Sequence, residues 1–264
     1  MTALPDLTFG QFQLVYNMLS FAIAAMFGSF AFFVLARQQV APRFRPALVM
    51  SALVVGIAGY HYYRIFGSWD HAYVLEGGMY VASGEPFNDA YRYVDWLLTV
   101  PLLCAELVAV MQLKKDVRGG MMTKLIIASA AMIALGYPGE VATDSGTRLL
   151  WGTLSTIPFC YIIYVLWVEL TKASSGESEK VNVLLRNTRL LLLGTWGFYP
   201  IAYLMPEIGI AGASAEVALQ VGYSIADVAA KCGYGLMIYA IARAKMSPED
   251  ELALAGGSRA VAAK

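Results

Sequence analysis

Seven apolar stretches divide this chain, near Phe9–Arg37, Pro46–Phe66, Ala90–Leu113, Met122–Tyr137, Thr147–Leu170, Val181–Met205 and Glu216–Ala244. Most run to roughly 20 residues or more, the length an α-helix needs to cross about 30 Å of hydrocarbon; the fourth is the shortest. In that medium backbone N–H and C=O groups must be satisfied internally, so such runs fold as spanning helices. Short polar connections set neighbouring helices antiparallel in a bundle. Composition agrees: of 264 residues, 58% are hydrophobic and 14% charged. The mean hydropathy of +0.58 is too apolar for an ordinary soluble domain. The formal net charge is zero, which points to no nucleic-acid partner. The first run lacks a basic segment before it and is too long for a signal-peptide core, so it is read as a span.

The all-α bundle is expected to occupy residues 1–246 as one domain, with residues 247–264 a flexible tail. Cys104, Cys160 and Cys232 all fall inside apolar runs and read as reduced core residues. His61 and His71 form no metal-ligand pattern. Between the second and third helices, Ala72–Leu75 and Met79–Ala82 flank a Glu-Gly-Gly turn, which predicts a short β-hairpin. Arg37, Arg43, Arg45, Lys114, Lys115, Arg118, Lys172, Lys180, Arg186, Arg189, Arg243 and Lys245 lie at one set of helix ends. Only Arg64, Arg92 and Arg148 lie at the other. The excess of positive charge predicts a cell (inner) membrane protein with its N-terminus outside and its C-terminus cytoplasmic. Trp69, Tyr91, Tyr93 and Tyr137 are expected as interface anchors near the outer ends.

The polar residues inside the spans carry the chemistry. In the seventh, Asp227 and Lys231 stand four residues apart, one helical turn, on a shared face. A lysine deep in a bilayer is costly and marks a functional site. Its amine can condense with an aldehyde to form a Schiff base, which a nearby carboxylate can hold protonated. In the third, Asp95, Thr99 and Glu106 share one face, because eleven residues are close to three turns. Arg92 stands one turn outward and can compensate two carboxylates facing one cation. At about 1.5 Å per residue from the basic end, Glu106 lies about 12 Å deep, Lys231 about 18 Å, Asp227 about 24 Å and Asp95 about 29 Å. One carboxyl thus lies inward of the amine and two outward, the order a directional proton relay needs. Glu106 is expected to be held as the neutral acid, and Thr99 to bond Asp95 or a backbone carbonyl. Trp96, Trp196 and Tyr199 can wall a slot for a long flat apolar ligand.

Arg-x-x-Asp-Trp-x-x-Thr-x-Pro on the third helix, with Asp-x-x-x-Lys on the seventh, resembles the microbial rhodopsins. Trp196-Gly197-Phe198-Tyr199-Pro200 is similar to that family's sixth-helix pocket motif. The resemblance implies all-trans-retinal on Lys231 as a protonated Schiff base, with Asp95 as counterion and proton acceptor and Asp227 as second counterion. It implies a pocket of Trp96, Thr99, Met132, Gly136, Ser155, Thr156, Trp196, Tyr199 and Pro200, with Tyr62 bonding the second counterion. Asp95, Thr99 and Glu106 resemble the pattern of the proteorhodopsin and xanthorhodopsin branch of light-driven outward proton pumps, with Glu106 as proton donor. Chloride pumps lack a carboxylate at the Asp95 position, and sodium pumps carry Asn-Asp-Gln. His61 matches the histidine that pairs with the primary counterion in this branch, and Leu103 a position that tunes absorption, here towards green. No pair of glutamates matches the archaeal release group; Glu207 and Glu216 read as outer-loop acids. Trp151-Gly152-Thr153-Leu154-Ser155-Thr156 resembles the xanthorhodopsin-like fifth helix, where Gly152 implies a window for a hydroxylated carotenoid antenna. A homo-oligomer, trimer to pentamer, is also implied.

Two other classes remain open on sequence. A photosensor signalling through a partner is disfavoured by Glu106, since sensory members commonly lack that carboxyl. A non-photochemical seven-helix receptor or transporter would stay colourless after retinal addition. No enzyme is implied.

Overall fold

The computed structural model describes residues 4–262, with side chains to residue 255. Seven helices cross the molecule. The first (Phe9–Ala36) is opened by a capping box, Thr8 with Gln11. The second (Arg45–Ala72), third (Tyr91–Met111) and fourth (Lys115–Glu140) follow. The fifth runs Ser145–Ala173 through a π-turn at Val165–Glu169, and the seventh runs Ala213–Ala244 through another at Ala229–Gly233. Six of the seven are long and apolar enough to cross a membrane. The sixth is split into Glu179–Trp196 and Phe198–Leu204. Pro200 has no N–H to offer the carbonyl of Trp196, and the helix breaks at Gly197. Its first half is also diluted by Lys180, Arg186 and Arg189.

Several helices outrun their apolar stretches. The second continues past Phe66 to Ala72, and the fourth, the shortest by hydropathy, starts seven residues before Met122 at Lys115. Hydropathy marks the hydrocarbon layer, whereas backbone hydrogen bonding carries a helix on through the interface.

The first helix buries a single stripe, Phe12, Val15, Leu19, Ala22, Met26 and Phe33, at helical spacing. It packs on the second and seventh helices; the second packs on the third, the third on the fourth, the fourth on the fifth, and the sixth on the seventh. The seam between the fifth and sixth helices is the loosest between chain neighbours in the bundle.

The hairpin pairs Tyr73–Glu76 with Met79–Ala82, Glu76 opposite Met79. Gly77 and Gly78 make its turn at φ of 58° and 88°, where side chains are disfavoured. A third strand, Leu7–Thr8, pairs along Met79–Tyr80 and ties the start of the chain to the hairpin. Phe12 stacks on Tyr80 at 3.8 Å between ring centroids, with Trp69 beneath. Trp69 is fully buried in this cluster and is therefore not an interface anchor. Past Ser247, where the sequence suggests a flexible tail, the structure has a helix at Pro248–Ala262 whose Asp250 takes both guanidinium nitrogens of Arg43, at 2.7 and 2.5 Å.

Candidate functional site

Two helix faces make the site. On the third, Asp95, Thr99, Leu103 and Glu106 recur at three- and four-residue spacing and are all buried. On the seventh, Gln220, Ser224, Asp227 and Lys231 do the same. Lys231 lies within the π-turn, an irregularity that often marks functional positions in helices.

Lys231 Nζ donates to Asp227 Oδ1 at 2.6 Å and lies 3.1 Å from Asp95 Oδ2. The amine is 2% exposed and both carboxylates are buried, so water screens little of this interaction. The carboxylates are held differently. Asp227 also accepts from Tyr199 at 2.6 Å and from Tyr62 at 2.7 Å. Asp95 Oδ1 has no hydrogen-bond donor among the described residues. His61 Nδ1 lies 3.9 Å from this oxygen, beyond hydrogen-bond reach. That Nδ1 instead donates to the Ile57 carbonyl at 3.0 Å. Thr99 donates to the backbone carbonyl of Asp95 at 2.8 Å and leaves the carboxylate alone.

Arg92 compensates the carboxylates less directly than its spacing suggests. It forms no ion pair with Asp95 or Asp227. It donates to Gln220 Oε1 at 2.6 Å, lies 4.6 Å over the Tyr223 ring, and approaches Asp89 at 3.9 Å. Gln220 donates in turn to Glu216 at 2.9 Å. Glu216 is thus a residue of the seventh helix, not a loop acid, and joins a polar chain to Arg92. Glu207 lies 3.7 Å from Arg148 instead.

On the basic side of the amine, Glu106 is fully buried and accepts from Ser51 Oγ at 2.5 Å. Ser51 escaped the sequence reading. It is one small hydroxyl in the apolar second helix, and only interhelical packing gives it a role.

A cavity of about 380 Å³ extends from Lys231, within the range of small-molecule sites. Trp96, Met132, Gly136, Gly152, Ser155, Thr156, Trp196, Tyr199 and Pro200 all line it, as expected, whereas Thr99 does not. Leu103 lines it too, and Tyr93, Phe159, Tyr203 and Tyr223 were not anticipated. These aromatics belong to no short motif; the signal that could have found them is their helical spacing from Trp96, Ser155, Tyr199 and Asp227. The cavity reaches the outer face of the bundle along the loose fifth–sixth seam, where Leu149 is 47% and Leu204 40% exposed. Gly152 lies on that path, and a Cβ there would come within 2.7 Å of the Tyr203 ring. The missing side chain therefore also makes room for Tyr203, whose hydroxyl donates to the Arg148 carbonyl at 2.7 Å.

Comparison with known proteins matches residues 13–245 to the family model described as bacteriorhodopsin-like protein. The green-light absorbing proteorhodopsin of Gamma-proteobacterium EBAC31A08 is 30% identical over 222 residues, covering 83% of this chain and 82% of that protein. Among solved structures, xanthorhodopsin, described as a light-driven ion pump with dual chromophore, is 59% identical at a TM-score of 0.88. A thermophilic rhodopsin is 56% identical at a TM-score of 0.90. Each of these two similarities covers 92% of this chain and 97% of the other.

Proposed function

As the chain belongs to the bacteriorhodopsin-like family of multi-pass membrane proteins, we propose that it is a light-driven outward proton pump carrying retinal on Lys231. The observation that carries this reading is the Lys231 amine, set between Asp95 and Asp227 at the end of an apolar cavity, with a buried Glu106 on its other side.

The residues present fit the chromophore. The cavity is long, flanked by Trp96, Trp196 and Tyr199, and ends at a buried primary amine. Retinal bound there supplies light absorption and a protonated nitrogen whose hold on its proton changes on illumination. Asp95 is the acceptor because Oδ1 has no donor from the described protein groups, whereas three donors occupy Asp227. Asp227 is the fixed negative charge, oriented by Tyr62 and Tyr199. On the hairpin side of Asp95, Arg92, Gln220 and Glu216 are joined in a polar chain suited to carry the proton outward. Glu106 returns a proton from the basic side, with Ser51 orienting its carboxyl. His61 modulates Asp95 from 3.9 Å.

The excess of basic residues at one end supports an N-terminus outside and a cytoplasmic C-terminus. We further propose a hydroxylated carotenoid antenna at Gly152 and a homo-oligomer of three to five copies. For the antenna, support comes from the cavity's path to the lipid face and from similarity to a dual-chromophore pump.

The test is to record external pH around illuminated, retinal-supplied cells. Outward pumping acidifies the medium, and a protonophore abolishes the signal. A coloured protein that moves no protons would reject the transport reading.

A further inference from the structure

We propose that a groove between the basic-end halves of the fifth and sixth helices binds the phosphate of an anionic phospholipid. The groove is a cavity of about 430 Å³. Trp167 and Thr171 face it from the fifth helix, Ser174 from the turn just after it, and Asn182, Arg186 and Arg189 from the sixth.

Arg189 is the unusual group. It is only 8% exposed, yet among the described residues it pairs with no carboxylate. Its Nη1 donates to the Leu166 carbonyl at 3.1 Å and to Thr171 Oγ1, and its Nε to the Leu185 carbonyl at 3.4 Å. Nη2 donates to no acceptor among the described side-chain bonds. Buried charges are ordinarily paired, because leaving one uncompensated is costly. The backbone is shaped to hold this guanidinium. In the π-turn the Leu170 N–H turns back to Val165, and the Leu166 carbonyl takes Arg189.

Among the described residues, no acidic side chain lines the groove. Of the acids nearby in the chain, Glu169 is engaged by Lys124 at 3.1 Å, Glu177 by Lys245, and Glu179 lies exposed in the first turn of the sixth helix. Arg186, Lys172 and Lys180 add exposed positive charge. The exposed Arg186 fork and the open Nη2 of Arg189, beside hydroxyls, suit a phosphate, which takes charge-assisted N–H donors. The groove lies at the basic helix ends, the level of a lipid headgroup. Leu190, 53% exposed beside Arg186 and Arg189, continues it along an apolar wall suited to an acyl chain.

The experiment uses the full chain in nanodiscs of mixed phosphatidylglycerol and phosphatidylcholine, with retained lipid counted by native mass spectrometry. Phosphatidylglycerol should be retained in preference to phosphatidylcholine. Arg186→Gln and Arg189→Gln should each cut that retention about tenfold, the change carried by one charge-assisted contact. Lys115→Gln, at the same end but outside the groove, should leave it unchanged. Because Arg186 is exposed, its variant keeps the test open if Arg189→Gln does not fold. Equal retention of the two lipids, or unchanged retention in Arg186→Gln, overturns the proposal. So does displacement of the lipid by millimolar inorganic phosphate, which would make this a free-anion site. None of these readouts depends on colour or pumping, so this proposal and the pump reading fail separately.

Discussion

Ser51 on the second helix donates to Glu106 on the third at 2.5 Å, and Glu106 Oε1 has no partner among the described residues. The orientation of this carboxyl therefore rests on one hydroxyl. Ser51→Ala should slow recovery of dark absorption after a flash about tenfold, the worth of one well-placed hydrogen bond. Glu106→Gln should slow it more, and added azide should restore much of that loss by carrying protons. Unchanged flash recovery in Glu106→Gln would show that protons return by another route.

Lys231→Ala should leave the purified protein without a visible band when retinal is added, because among the described residues no other amine lines the cavity. A retained band in that variant would move the attachment site elsewhere.

Asp95→Asn removes a negative charge 3.1 Å from the Lys231 amine. Absorption should shift to the red, and light-driven acidification should vanish. Tyr62→Phe provides the contrast: it removes one of three donors to Asp227 and should cost roughly 1–3 kcal/mol of stability while acidification persists. Thermal unfolding followed by colour loss, beside pH recording, separates the two.

Gly152 and Tyr203 compete for the same space, since a Cβ at 152 would lie 2.7 Å from the ring. Gly152→Ala should cost roughly 1–3 kcal/mol through overpacking. Gly152→Trp should remove any antenna while sparing retinal binding. The check is the excitation spectrum of retinal emission after adding a hydroxylated carotenoid. Energy transfer that survives Gly152→Trp would reduce this glycine to a packing residue.

The Asp250 carboxyl is held down at about 2 by hydrogen bonds from Arg43 and from the Ser247 backbone. Its unfolded value is near 3.9, so the contact contributes fully above that pH and is lost as pH falls through about 2. The hydrogen-exchange protection factor at the start of the terminal helix should hold from neutral pH down to about 4 and fall in stronger acid. Arg43→Ala should lower that protection factor already at neutral pH.

Much of the fold and part of the site were legible in the chain because both rest on short-range periodicity. A bilayer leaves a long apolar run little choice but helix, and a helix brings residues four apart together. Seven spans and the Asp227–Lys231 pair follow from that alone, and the hairpin from the Gly-Gly turn between two short strand runs. The Asp95–Lys231 approach needed two helices to face each other, and there the motif resemblance supplied the pairing that spacing could not. Only the tertiary structure decided how the remaining helices are rotated. It put Ser51 on Glu106, turned Arg92 to Gln220 and away from the carboxylates, and set Tyr203 against Gly152. It also buried Trp69 under a third strand and left Arg189 in a groove lined by no acid among the described residues. The reason is the solvent. Lipid tails are as apolar as a protein interior, so burial does not tell a helix which face to turn inward, and close packing with interhelical hydrogen bonds makes that choice.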